Sequence, residues 1–213
     1  MGKIKQGVLG GFSGKVGTVI GSFWKGLAVM RGLPVGKRGN PTASQLQQQA
    51  KFSLMIKFLQ PLTDLLNLTF NSLAVGMSGL NKALSYNVQN AITGVYPALT
   101  VDYPMLLLSR GDLLVAIGPA AASAVAGKVD FTWTNNSGPG KVRATDTAFV
   151  AVFCEALGYW VYNYQTAAAR VAGAYSFDVP DFSGKPVHTY LGFVSANGRI
   201  FSNTAYAGLV NVL

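Results

Sequence analysis

The chain has 213 residues, half of them hydrophobic and only 12% charged, with a net charge of +9. A single cysteine, Cys154, excludes an internal disulfide framework, and one histidine, His188, leaves little for metal or nucleophilic chemistry. So few charges, against a usual share of about a quarter, leave little solvated surface: either the fold is unusually well buried or, the favoured reading, much of the surface is covered by other copies or partners.

The excess charge lies entirely in the first 63 residues, which hold nine basic residues and no acid; the first carboxylate is Asp64. From there on, eight basic residues balance eight acids. The chain therefore reads as a basic, Gly-rich head joined to a neutral, apolar body. The Met-Gly-Lys start lacks the apolar run of a signal peptide, and Gln6 stands where a myristoylation signal needs Ser or Thr. No run is long and apolar enough to span a membrane. Residence in the cytoplasm, or in a particle assembled there, is expected.

Residues 1–40 carry 11 of the 25 glycines, interleaved with Val16, Val19, Ile20, Phe23, Trp24, Leu27 and Val29. That is too apolar for a free linker and too rich in Gly for a helix. Short strands near 16–21 and 26–31 are expected, with Gly at bends or close backbone approaches. Residues 32–41 form a turn-rich connector, so 1–41 reads as a basic β-arm.

Thr42 and Gln45 make a capping box, and Leu46, Ala50, Leu54 and Phe58 recur every four residues, so 43–59 is predicted helix. Pro61 ends or kinks it. Leu62, Leu65, Leu66, Phe70 and Leu73 trace a second helical stripe, closed by Gly76. Leu80, Leu84, Val88 and Ile92 trace a third, ended by Gly94. The segment 42–94 is thus helical.

After Pro97 come short β-rich runs near 104–109, 113–117, 128–134, 146–154, 159–164, 173–179, 187–195 and 200–210, separated by turn clusters. Their number and spacing predict an immunoglobulin-like antiparallel β-sandwich over 98–213, and the fold class is α+β. Trp133 is expected in its core. The run 149–154 is apolar on both faces, as in a central strand or one covered by another element.

The head motif, Gly-Gly-Phe-Ser-Gly-Lys-Val-Gly-Thr-Val-Ile-Gly at 10–21 with Trp24-Lys25-Gly26, Arg31, Pro34 and Gln49-x-Lys51-Phe52, resembles a domain-of-unknown-function family from Bacteroidota bacteria and their phages. The resemblance spans nearly the whole chain. It implies a β-rich C-terminal half and carries no activity and no site residues.

Catalysis finds little here. His188 is expected to be a packed or surface residue, facing away from Val187, Thr189, Leu191 and Phe193 together with Tyr190, and Cys154 to be a small core hydrophobe; a Cys154–His188 dyad is the remote alternative. Asp178 and Asp181, the closest acidic pair, flank a strand end. Gly14-Lys15 is followed by Val16, which breaks the phosphate-loop pattern. No cofactor, metal or small-molecule substrate is expected. The reading is a non-enzymatic, self-assembling structural protein, a component of a phage virion or comparable particle. Phe12, Val16, Phe23, Trp24 and Val29 of the arm would make the subunit contacts, with copies of the chain or other particle subunits as partners. The alternative is a nucleic-acid-binding protein that contacts phosphates through Lys15, Lys25, Arg31, Lys37 and Arg38.

Overall fold

The computed structural model describes residues 3–4, 10–24, 26–34, 39–138, 140, 142–164, 166 and 168–213. The chain divides into two compact units, Met1–Thr42 and Ala43–Leu213.

The first unit is a four-stranded antiparallel sheet in the order of the chain: β1 (Lys3–Ile4), β2 (Phe12–Val16), β3 (Val19–Trp24) and β4 (Leu27–Gly32). A two-residue turn, Gly17-Thr18, joins β2 to β3, and Gly17, at φ +58°, supplies the left-handed backbone that it needs. The strands start and end a few residues away from the expected 16–21 and 26–31, because the glycines of this stretch occupy both the turns and the strand interiors.

In the second unit, α1 (Ala43–Leu59) fills the predicted span. A 3-10 turn at Gln60–Leu62, with Pro61 in its first turn, redirects the chain into α2 (Thr63–Thr69). After a further 3-10 turn at Asn71–Leu73, Ser78 caps α3 (Gly79–Asn90), its hydroxyl accepting from the Asn81 amide at 3.2 Å. Helix α3 ends before Ile92, which the four-residue spacing had assigned to it. Ile92 instead opens a hairpin of β5 (Ile92–Val95) and β6 (Ala98–Val101) that the periodicity did not announce.

Seven strands follow: β7 (Ile117–Ala122), β8 (Lys128–Thr134), β9 (Thr147–Cys154), β10 (Tyr159–Asn163), β11 (Ala174–Asp178), β12 (Pro186–Val194) and β13 (Ala205–Asn211). They form a four-stranded sheet, β10-β9-β12-β13, and a three-stranded sheet, β11-β8-β7, with every pair antiparallel. This is an immunoglobulin-like connectivity with the fourth strand paired to the third. Val129, Phe131 and Trp133 of β8 and Phe177 of β11 meet Val150, Val152 and Cys154 of β9 and Val187, Leu191 and Phe193 of β12 in one buried cluster.

Two predicted strands are corrected. The apolar run at 104–109 is not a strand: Leu106 and Leu108 are buried, and the Asn87 side chain takes the place of a neighbouring strand. Its amide donates to the Leu107 carbonyl and accepts from the Leu107 N–H, both at 2.9 Å. The run at 113–117 is not a strand either, since β7 begins only at Ile117, while Leu113 makes a single parallel bridge to Ser202. The last strand likewise starts at Ala205 rather than near 200, with Phe201 bridging Val194.

The apolar run 149–154 is explained by a third layer. Ala151 and Phe153 of β9, Trp160 of β10 and Tyr190 of β12 project from the other side of the four-stranded sheet into a second cluster. There they meet Met55, Leu59, Leu62, Leu65, Leu66, Phe70 and Leu84 from the helices. Phe58 of α1 stands edge-on to Phe153 with ring centroids 4.8 Å apart, and the Trp160 indole N–H donates to the Phe58 carbonyl at 3.2 Å. Helices, four-stranded sheet and three-stranded sheet are thus stacked in that order, and β9 is both central and covered.

Candidate interaction surface

Antiparallel pairing puts directly opposite residues on the same side of a sheet. In the first unit the pairs Gly14–Gly21, Val16–Val19, Gly21–Met30 and Phe23–Ala28 define one face, which Phe12 joins by alternation. The pairs Lys15–Ile20, Ile20–Arg31, Ser22–Val29 and Trp24–Leu27 define the other. The first face is wholly apolar. The Phe12 ring lies over Gly21, where an added Cβ would collide with both ring and backbone. The second face combines Trp24, Leu27 and Val29 with Lys15 and Arg31, which flank Ile20 in one cross-strand row.

None of the described large apolar side chains of this unit is buried. Trp24 is 54% exposed, Leu27 68% and Met30 69%. The five residues expected to make subunit contacts divide between the faces: Phe12, Val16 and Phe23 on one, Trp24 and Val29 on the other. Of the expected phosphate contacts, Lys15 and Arg31 share the second face, while Lys25, Lys37 and Arg38 lie outside the described residues.

The other residues singled out in the sequence sit in the second unit. Cys154 is buried inside the sandwich, opposite Val187 across the β9–β12 ladder, whereas His188 points to the helical side. A Cys–His pair is therefore ruled out by the sheet lying between them. The His188 Nδ1 is 2.8 Å from the Tyr206 hydroxyl, and burial lowers the imidazole pKa, with Glu155 pulling weakly the other way. Asp178 pairs with Lys128 at 3.1 Å and Asp181 accepts from the Tyr159 hydroxyl at 3.3 Å, so the two carboxylates do not share a site. Among the described residues no group of three or more His, Cys, Asp or Glu could hold a metal ion. No described helix is long and apolar enough to cross a membrane.

One constellation was not legible beforehand. Arg170, wholly buried at the loop end of the sandwich, lies 3.5 Å from the buried Asp146 carboxylate through its Nε and lies over the Phe193 ring at 3.7 Å. Its terminal nitrogens donate to Asn136 at 2.5 Å and to the Leu114 carbonyl at 3.1 Å. Asp146 also accepts from the Arg143 amide at 3.0 Å. The pair ties together three loops, beside a cleft of about 470 Å³ lined by Arg143, Thr145, Ser195 and Asn197. Nothing in its sequence surroundings distinguishes Arg170 from a surface arginine.

The model of a family of unknown function, DUF6266, matches residues 11–208, from the head sheet to the last strand of the sandwich. The chain belongs to this family. The resemblance read from the head therefore holds at the level of a family of unknown function. The DUF6266 chain has no match among curated proteins. A crystal structure of the chicken CNTN1 FN1-FN3 domains is similar to it over 47% of this chain and 34% of that chain, at 9% identity and a TM-score of 0.38. That match spans about a third of the chicken chain.

Proposed function

We propose that the protein is a non-enzymatic structural subunit that self-associates through its N-terminal sheet, as a component of a phage virion or a comparable particle. The observation that carries this reading is a four-stranded sheet whose described large apolar side chains lie on both faces, none of them buried. A unit of about 40 residues needs a disulfide, a metal or association to hold its fold. Residues 1–63 hold no Cys, His, Asp or Glu to make a disulfide or bind a metal, which leaves association. The low charge of the whole chain is in keeping with this. Residence is then the cytoplasm or the assembled particle.

The rival reading, a nucleic-acid-binding protein, draws on one specific feature: Lys15 and Arg31, two cations that attract phosphate, share a face with Trp24, a ring that can stack on a base. The two readings separate on salt. Phosphate contacts release counterions and weaken steeply as salt rises, whereas apolar contacts do not. Light scattering of the purified chain at about 0.05 and 0.5 M salt, with absorbance at 260 and 280 nm, tests the proposal. A salt-resistant assembly free of nucleic acid supports it; a small species that carries nucleic acid only at low salt overturns it.

A further inference from the structure

The hydrogen-bond parity of the head sheet identifies which backbone groups of β4 are unused within it. The Leu33 amide donates to the Thr18 carbonyl at 2.7 Å, in register with the β3–β4 ladder. Bonded and non-bonded pairs alternate along an antiparallel ladder. Arg31, Val29 and Leu27 therefore turn their N–H and C=O groups toward β3. Ala28, Met30 and Gly32 turn theirs to the opposite edge, where the sheet order places no further strand among the described residues. Residues 27–32 lack most of the devices that blunt an edge: they contain no proline, lysine or bulge, every residue is exposed, and Arg31 is the one charged side chain.

We infer that this edge pairs with β4 of a second copy, antiparallel about a two-fold axis at Met30, joining two four-stranded sheets into one of eight strands. This rests on the self-association proposed above and names its contact. A strand edge asks for another strand, and three relations favour the same strand from a second copy. Antiparallel pairing of a strand with itself is two-fold symmetric, so the contact is closed and needs no other sequence. With the axis at Met30, Met30 faces Met30 and Ala28 faces Gly32 in both directions, so all three outward-facing residues are used, in about six main-chain hydrogen bonds. Charge is also accommodated: Arg31 of each copy lies opposite Val29 of the other, whereas a parallel pairing would set Arg31 against Arg31. The wholly apolar face continues across the junction, as does the mixed one.

The test is the solution mass of the full chain and of two variants, Met30→Pro and Gly32→Pro. Each removes one outward N–H and leaves the bonds to β3 in place. Circular dichroism checks that the fold of the body is kept. The expected result is an oligomeric wild type and at least a tenfold weaker association in both variants. A variant on the interior strand β3, Ser22→Thr, leaves the β4 edge untouched and is expected to associate like the wild type. An oligomeric wild type whose two proline variants associate equally well overturns the β4 pairing and leaves self-association standing. A wild type that is monomeric at high concentration overturns both.

Discussion

The imidazole of His188 lies nearly flat on the phenol ring of Tyr103, with centroids 3.6 Å apart and planes 14° apart. His188 belongs to β12 and Tyr103 to the segment leaving β6, so the stack fastens the chain that returns from the helical layer to the sheet. The Tyr190 hydroxyl, on the same face of β12, donates to the Tyr103 carbonyl at 3.0 Å and holds the segment a second time.

Burial keeps this imidazole neutral, since its pKa is lowered from the ordinary 6.5. The unfolded chain binds the proton more readily than the native one. Stability from this group is therefore fully present above about pH 6.5 and is lost as the pH falls below it. The melting temperature is expected to decline between about pH 7 and pH 5, and His188→Gln to flatten that decline. Scanning calorimetry of both proteins across the range checks it; parallel curves would assign the decline to other groups.

The shared cluster of helices and sheet makes Ala43–Leu213 one cooperative body. Phe153→Ala removes a ring that touches Phe58 of α1 and Trp160 of β10. It is expected to cost about 3–5 kcal/mol. Unfolding followed by far-ultraviolet circular dichroism and by tryptophan fluorescence should move together to lower urea. Helices melting ahead of the sandwich would show that the two layers are independent.

Arg170 and Asp146 form a buried pair whose members depend on each other. Arg170→Met leaves a buried carboxylate without its cation and is expected to cost about 3–5 kcal/mol. Adding Asp146→Leu should recover a large part of that loss, because the uncompensated charge is gone. A urea double-mutant cycle measures the coupling; simple additivity would mean that the two side chains act separately.

How far the fold was readable follows from what each residue pattern can encode. Helix α1 was legible because four-residue spacing ran uninterrupted up to Pro61. The double-sided apolar run of β9 announced a covered strand, and the helices cover it. Alternation along β12 put His188 and Tyr190 on one face and Val187 and Leu191 on the other, as observed. The same spacing rule misled at Ile92, where an apolar residue at the next fourth position begins a hairpin instead. It also misled at 104–109, because burial of Leu106 and Leu108 needs only a covered backbone, and Asn87 supplies that cover from a helix 20 residues away. The Arg170–Asp146 pair joins residues far apart in the chain, so no local pattern could reveal it. In the head, the composition announced strands, but only the register showed that the expected contact residues divide between two faces.

Lys15 discriminates between the two readings of the head. Under self-association through β4, Lys15→Glu leaves the solution mass unchanged, since Lys15 lies in β2, away from the pairing edge. Under nucleic-acid binding the same change reduces the salt slope of affinity by about one, near one per lost phosphate contact. Fluorescence titration of labelled single-stranded DNA at several salt concentrations, alongside light scattering, reads both.

The central claim, that the N-terminal sheet is the assembling part of the molecule, is tested most directly by comparing the solution mass of the full chain with that of residues 43–213. Light scattering at high protein concentration, at low and high salt, gives both values. The expected result is a salt-resistant assembly for the full chain and a folded monomer for residues 43–213. Two monomers, or an assembly that persists without the head, would contradict it.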